Sequence, residues 1–219
     1  LWPAPAAEAI IVPAGGTFAR NVVQQDGGIG TFAISVGAGA VAAFNVLNIG
    51  GDYSRIAIDV TLHAGARFEL GCVQIGGGEQ TLEIITNVTH AEPGATSRKT
   101  VRSVAGGRAT VTYLGKVSVA RVANGTDSEQ DIKAMLLDRT AIANARPELE
   151  IYADDVACAH GCAIGELDTS GMFYLQSRGL PPADAKRLLL QAFVAGVFDG
   201  ADDAEALQAL ALAKLGELV

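Results

Sequence analysis

The stretch Arg55–Cys72 decides the fold, and it reads RIAIDVTLHAGARFELGC. Apolar side chains recur at every second position of its first half, at Ile56, Ile58, Val60 and Leu62. Small or polar residues occupy the positions between them. Because successive side chains of a strand point to opposite faces, this alternation predicts one buried and one solvated face. The alternation resumes after a small-residue turn at 64–66, which predicts a second strand.

Small-residue corners recur along the chain, at Gly39-Ala40, Gly65-Ala66, Gly94-Ala95 and Gly106-Gly107. Further strands are predicted between and beyond them, at Leu82–Val88, Ala109–Val119 and Glu148–Ala153. Short strands with regularly placed corners suit a parallel β-helix, in which each coil stacks on the previous one and continues its core. An antiparallel sandwich or jelly roll is the alternative, because no two-residue hairpin fixes the topology.

The pattern changes from strand-type to helical near residue 168. We therefore predict two domains, a β-helix core at 1–165 and a small helical domain at 166–219. Asp168 is a suitable N-cap for a first helix that ends before Gly179, and Pro181 and Pro182 suit the first turn of a second.

A third helix is predicted to start with a capping-box-like pair, Asp202 and Glu205. The second and third helices carry apolar residues at helical spacing, at Leu188, Leu189, Ala192, Phe193, Val197, Leu207, Leu210, Ala211 and Leu218. We expect these faces to pack mainly on the β domain or on each other, and a partner-docking face is the alternative.

Composition excludes several classes of protein. Of the 219 residues, 49% are hydrophobic and 18% charged, which is typical of a folded domain. A net charge of −8 without a basic cluster argues against nucleic acid as a partner. No apolar run is long enough for a membrane span, and no secretory leader is recognisable at the start. Three cysteines in this length favour a reducing compartment, and we expect a cytoplasmic location.

The sharpest chemical feature is the segment VACAHGC at 156–162, which holds Cys158, His160 and Cys162. If it forms a strand, the three side chains project from the same face, because they are two positions apart. They would stand about 6 to 7 Å from one another, so one strand cannot wrap a tetrahedral metal site with all three. A second strand or subunit would have to contribute. Thiolate and imidazole suit iron–sulfur species, zinc or copper.

A purely structural role is the alternative for each of these residue types. Buried cysteines often act as small hydrophobic residues, as we expect for Cys72, which is in phase with the apolar positions of its strand. His63 and His90 stand alone, which favours surface or hydrogen-bonded core positions. Asp154-Asp155 is expected in a turn. The segment 94–100 lacks the glycines of a phosphate-binding loop, so no nucleotide site is predicted there.

Two ordered motifs resemble those of a known family. The run RPELEIYADDVACAHG at 146–161, followed by FYLQSRGL at 173–180, closely resembles the C-terminal signature of the SufB/SufD family of iron–sulfur cluster assembly proteins. The His-Gly pair after the cysteine, with Leu-Glu-Ile and Asp-Asp-Val before it, is similar to the SufD branch. In the SufB branch a His-Glu-Ala type of segment is expected instead.

The resemblance implies a right-handed parallel β-helix followed by a C-terminal helical domain, and a scaffold subunit rather than an enzyme. It implies pairing with SufB through the β-helix and binding of the ATPase SufC by the C-terminal helices. A homodimer is expected when the subunit is alone. Members of the family usually carry an N-terminal helical region, which this sequence lacks.

The resemblance also implies roles for individual residues. Cys158 and His160 match positions thought to help place a nascent iron–sulfur cluster at the subunit interface, and Cys162 is a plausible third participant. The cluster is expected to be transient, with no stably bound cofactor. Residues on the SufC side are expected to include Phe173, Tyr174, Arg178 and Gly179.

Two other functions are compatible with the sequence. One is a stand-alone metal-binding protein that uses Cys158, His160 and Cys162. The other is a β-helix carbohydrate-active enzyme with carboxylates in a surface groove, although an aromatic content of 5% disfavours it.

Overall fold

Strands and tight corners alternate through most of the chain. In the computed structural model, which describes residues 5–219, twelve strands precede three helices. Residues 1–4 of the predicted β domain lie outside the described residues. The strands are β1 (Glu8–Val12), β2 (Thr17–Gln24), β3 (Gly28–Val36), β4 (Val41–Asn48), β5 (Tyr53–Leu62), β6 (Arg67–Gly76), β7 (Thr81–His90), β8 (Thr96–Ala105), β9 (Thr110–Val119), β10 (Thr126–Leu136), β11 (Ile142–Ile151) and β12 (Val156–Glu166).

Consecutive strands belong to opposite sheets. The odd-numbered strands form one sheet, in the order β1-β3-β5-β7-β9-β11, and the even-numbered strands form the other, in the order β12-β10-β8-β6-β4-β2. Each strand therefore pairs with the strand two positions away, and these pairings are parallel. This connectivity confirms the parallel β-helix and excludes the antiparallel sandwich for the described residues.

The alternation of the sequence places apolar side chains inside the solenoid. Inward-facing residues stack in columns from coil to coil; one column comprises Val22, Val46, Cys72, Val101, Ile132 and Cys162. Cys72 is fully buried in this core, as predicted. Positive backbone φ angles mark the predicted corners, for example 63° at Gly65 and 72° at Gly94, which explains the glycines there.

Three helices follow the last strand: α1 (Thr169–Ser177), α2 (Pro182–Val194) and α3 (Ala204–Gly216). The Asp168 carboxylate accepts a hydrogen bond from the Ser170 N–H and caps α1, as predicted. The prediction for α3 was wrong by one residue. Asp203, not Asp202, occupies its N-cap in a left-handed conformation with φ 54°, and makes no capping hydrogen bond.

Helices α2 and α3 pack on the outer face of the even-numbered sheet. Their buried residues contact outward-facing strand residues in one apolar cluster, whose members include Leu47, Val73, Val104, Leu190, Val194, Phe198, Leu207 and Leu215. The predicted stripes were partly wrong, because α2 buries Ala185, Leu190 and Val194 and leaves Leu188 exposed. Three successive leucines leave the phase of the helix undetermined by sequence. None of these helices of residues 5–219 is long and apolar enough to cross a bilayer.

Candidate functional site

The last strand, β12, carries all three candidate side chains at the edge of the even-numbered sheet. Cys158, His160 and Cys162 are in register with Ser128, Gln130 and Ile132 of β10. These three β10 residues are buried inside the solenoid. Because parallel strands keep the same phase, the two thiols and the imidazole all lie on the inward-facing side of the last coil.

The inward-facing side is only partly covered at this coil, because no further coil of the described chain stacks on β12. Cys158 is half-buried against a small apolar cluster that includes Val117 and Ala153, whereas His160 and Cys162 are exposed. Burial raises the pKa of the Cys158 thiol, and the nearby Asp127 carboxylate adds to this rise. A hydrogen bond with the Ser128 backbone acts in the opposite direction.

The site provides too few ligands for a metal within the described chain. No group of three or more His, Cys, Asp or Glu side chains in residues 5–219 could hold a metal ion. Asp154 and Asp155 lie in the bend before β12, where the Asp155 carbonyl accepts a hydrogen bond from the Gly125 N–H. His63 binds Glu92 on the surface, with 3.0 Å between Nδ1 and Oε1. A metal or cluster at Cys158 and His160 would therefore need ligands from elsewhere.

Sequence reasoning missed a set of polar residues inside the solenoid, beneath the last coil. Lys99 is 1% exposed, and its ammonium group donates to the Lys116 carbonyl over 3.3 Å. Burial lowers the pKa of Lys99 to about 7. Gln130 is fully buried, and neither polar atom of its amide has a hydrogen-bond partner.

A signal for this set was present in the sequence. In β8, Ser97 and Lys99 occupy the same alternating phase as the apolar Val101, and in β10 Ser128 and Gln130 share the phase of Ile132. Polar residues in the core phase of two neighbouring coils indicate a polar interior, and such positions are uncommon in an ordinary core.

The predicted docking residues lie in the middle of α1 and just after its end. Phe173 is 75% exposed and Tyr174 is also exposed, and α1 contains no buried residue. The Arg178 guanidinium lies 5.3 Å from the centre of the Tyr174 ring, which is a cation–π arrangement. Gly179 follows with a φ of 94°, where glycine ends the helix at low cost. The structure thus presents an aromatic and cationic surface, which we call the α1 patch (Phe173, Tyr174 and Arg178).

Comparison with known proteins identifies relatives of this chain. Residues 17–193 match the family model described as SUF system FeS cluster assembly, SufBD core domain. The chain is 31% identical over 188 residues to an iron–sulfur cluster assembly SufBD family protein of Synechocystis sp.. The aligned segment covers 84% of this chain and 41% of that protein.

Two relatives carry the name iron–sulfur cluster assembly protein SufD. That of Escherichia coli is 33% identical over 132 residues, covering 60% of this chain and 31% of the relative. That of Bacillus subtilis is 30% identical over 125 residues, covering 57% and 29% respectively. The chain thus matches less than half the length of each of these three relatives.

Proposed function

Because this chain belongs to the SufBD core family of SUF-system iron–sulfur cluster assembly proteins, we propose that it is a SufD-like scaffold subunit without catalytic activity of its own. In this proposal it pairs with a SufB-type subunit through the last coil and binds a SufC-type ATPase through its C-terminal helices. The observation that carries the proposal is the position of Cys158 and His160 on one face of an edge strand.

The incomplete ligand set supports a site shared between subunits. Cys158 offers a thiolate and His160 an imidazole, which are ligands that iron–sulfur species accept. The rise per residue of a strand keeps them about 6 to 7 Å apart, so both could contact one cluster while a partner supplies the remaining ligands. The cluster is then cargo that forms at the interface and leaves it.

The edges of the last coil support the proposed pairing. Strands β11 and β12 are the last strands of their sheets, so each has one side without a strand neighbour in the described chain. Such edges present rows of backbone N–H and C=O groups that can pair with another strand. A partner strand there would cover the inward-facing thiol and imidazole. The same edges could pair two copies of this chain in the absence of a SufB-type subunit.

The α1 patch supports the proposed contact with the ATPase. Large aromatic residues and arginine are enriched at the energetic centres of protein interfaces. Phe173 and Tyr174 are exposed in the described chain, and α1 follows the last coil directly. A movement of the ATPase could therefore be transmitted through α1 to the edge that is shared with the SufB-type subunit. Such coupling requires that the interface has two alternative arrangements.

Co-expression with SufB-type and SufC-type partners tests the proposed site. We expect Cys158→Ala and His160→Ala to leave the complex intact, because neither side chain is needed for the core. Cluster content of the purified complex should fall at least tenfold. Lys133→Ala, at a half-exposed outward-facing position of β10, is the matched control and should retain cluster. Absence of any complex with the wild-type chain would refute the proposal.

A separate pair of variants tests the docking surface. Phe173→Ala with Tyr174→Ala should abolish copurification of the ATPase while retaining the SufB-type subunit. Leu188→Ala, an exposed apolar residue of α2, is the control and should retain both partners. Loss of the ATPase in the Leu188 variant alone would place the docking surface elsewhere.

A further inference from the structure

A small cavity lies between the outer face of the even-numbered sheet and the connection from α2 to α3. Its volume is about 200 Å³. Residues of β4, β6 and β8, among them Asn45 and Gly71, form its floor, and residues 196–201 form one wall. No residue of β12 or α1 lines it. The cavity is therefore separate from the candidate cluster site and from the α1 patch.

The side-chain oxygen of Asn45 points into this cavity, although the residue is only 8% exposed. The Asp202 backbone carbonyl can only accept a hydrogen bond, so the group of Asn21 that binds it is the amide nitrogen. The Asn21 oxygen then accepts from Asn45 Nδ2 over 3.0 Å. This order leaves Asn45 Oδ1 as an acceptor to which no residue of 5–219 donates. A Cβ at Gly71, on the cavity floor, would lie 2.8 Å from that oxygen.

Two further acceptors line the same cavity. The Val197 carbonyl oxygen would lie 2.5 Å from the same Cβ position at Gly71, so it converges with the Asn45 oxygen above one glycine. No turn or loop hydrogen bond of residues 5–219 ends on that carbonyl. The Asp199 carboxylate belongs to the wall, and none of the ion pairs of residues 5–219 includes it. Three acceptors without donors thus line one cavity.

The charges of the cavity favour a cation. Arg98 is the one basic residue of its lining, and its guanidinium already binds the Asp127 carboxylate over 2.5 Å. Glu69, also in the lining, is paired with Arg67 over 2.5 Å. Because these pairs offset their own charges, Asp199 determines the sign of the charge that a ligand meets. A carboxylate beside two neutral carbonyl oxygens attracts a positively charged hydrogen-bond donor.

We propose that this cavity binds a primary ammonium group, which a small amine or a lysine side chain would carry. Such a group has three N–H donors and no acceptor, which matches the oxygens of Asn45, Val197 and Asp199. Calcium and magnesium sites usually combine more oxygen ligands, with more than one carboxylate among them. The inference goes beyond the proposed function and does not depend on it, since the cavity contains none of the cluster or docking residues.

Titration of the full chain with methylammonium, followed by the NMR signals of the backbone amides, tests the proposal. The amides of Gly71, Gly196 and Gly200, which line the cavity, should shift in a saturable manner. We expect a Kd of roughly 10 mM, because the best small ligands gain about 1.5 kcal/mol per non-hydrogen atom. Tetramethylammonium has the same charge but no N–H, and should bind about fivefold more weakly or less. N-acetyl-lysine amide is the second probe: tighter binding than methylammonium assigns the site to a protein lysine, and equal binding to a small amine.

Asp199→Asn keeps the size of an exposed side chain and removes its charge, so it should weaken methylammonium binding about fivefold or more. Asp203→Asn is the matched control, because Asp203 belongs to the same connection but does not line the cavity. Its left-handed backbone, with φ 54°, also suits asparagine. The control should keep the Kd within about twofold. The inference would be overturned by unshifted glycine amides at about 100 mM methylammonium, by equal binding of tetramethylammonium, or by an unchanged Kd in Asp199→Asn.

Discussion

The central coils and the last coil of the solenoid are built alike but buried very differently. Strands β5 to β12 have ten or eleven residues each, pair in parallel and keep the same inward phase. In coils that are covered on both sides, the inward-facing Phe44 of β4 and Phe68 of β6 are fully buried. In the last coil Ile151, in register with the fully buried Val119 of β9, is 40% exposed, because no further coil covers it. Alternation thus sets where a side chain points, while the next coil sets whether it is buried.

The interior also changes in chemistry along the solenoid axis. The first coils enclose aromatic and aliphatic side chains, such as Phe32 and Phe44, whose rings meet edge to face with centroids 5.2 Å apart. The later coils enclose Lys99, Ser128 and Gln130. Apolar coils supply most of the stabilising burial, whereas polar coils supply hydrogen-bond groups beneath the candidate site. Earlier coils also bury polar side chains, such as Asn48 and Gln74, so the two ends of the solenoid differ in degree.

The largest expected effect comes from removing an apolar side chain from a covered coil. Phe44→Ala should lower the free energy of unfolding by about 3 to 5 kcal/mol, since it deletes a buried ring and leaves a cavity. Ile151→Ala, at the inward face of the uncovered coil, should cost only about 1 kcal/mol, because that residue is already 40% exposed to water. Chemical denaturation of both variants checks the difference, and equal losses would contradict the contrast between the coils.

The next prediction compares the effect on stability of substituting two glycines that lie in one column of paired residues. Gly71 of β6 and Gly161 of β12 occupy the same outward-facing column, with Thr100 and Asp131 between them. A Cβ at Gly71 would lie 2.5 Å from the Val197 carbonyl oxygen, whereas a Cβ at Gly161 would meet nothing within 4 Å.

Gly71→Ala should therefore destabilise the protein by about 2 kcal/mol, because the backbone of the α2–α3 connection must move away. Gly161→Ala should change stability by less than about 0.5 kcal/mol, as surface substitutions usually do. Thermal unfolding of the two variants is the measurement. A destabilised Gly161→Ala variant would show that the outer face of β12 is covered after all.

Sequence reasoning predicted the architecture because its signals are local and repeated. The alternation at 56–62 and the glycine corners predicted strands and turns and favoured stacked parallel coils, while the resemblance to the SufB/SufD family decided against the antiparallel sandwich. The Asp168 cap predicted the first helix. The same reasoning placed Cys158 and His160 on one face, since only strand periodicity was needed. These features depend on neighbours in sequence and so could be predicted.

Features that depend on distant parts of the chain could not be predicted. The buried face of α2 follows from how the helix meets the outer sheet, which the run of leucines at 188–190 leaves undetermined. His90 and Ser97 are seven residues apart in sequence, but Ser128 joins them only because coils stack. Which residues of different coils meet in the interior therefore depends on the register between the coils, which a single sequence does not reveal.

Lys99 predicts a pH dependence that an exposed lysine would not give. Its pKa falls from 10.5 to about 7 on folding, so between these values the unfolded chain binds more protons and stability rises with pH. We expect a gain of roughly 2 kcal/mol between pH 7 and 9 in the wild type. Lys99→Met should remove this rise and be more stable than the wild type at pH 7.

Urea denaturation at several pH values measures the effect. Lys133→Met removes a half-exposed lysine from the next coil and serves as the control for loss of one positive charge. Its profile should keep the wild-type rise. A Lys99→Met profile that still rises in parallel with the wild type would show that another group is responsible.

The smallest expected effect on stability comes from two ion pairs on the outer face of the even-numbered sheet, one covered by a helix and one not. Arg102 and Arg98 each bind an aspartate of β10, Asp131 and Asp127 respectively, over 2.5 Å. Arg102 is 13% exposed and lies 6.0 Å from the centre of the Phe193 ring of α2, whereas Arg98 is 42% exposed. Water and salt screen the second pair more strongly than the first.

Asp131→Asn should therefore cost about 1 kcal/mol of stability, and Asp127→Asn about 0.3 kcal/mol or less. In 0.5 M salt the smaller loss should vanish, while much of the larger one should persist because helix α2 shields it. Denaturation at two salt concentrations measures both. Equal losses of stability would mean that α2 does not shield the Arg102–Asp131 ion pair. The contrast between covered and uncovered positions would then hold for the interior of the solenoid but not for its outer face.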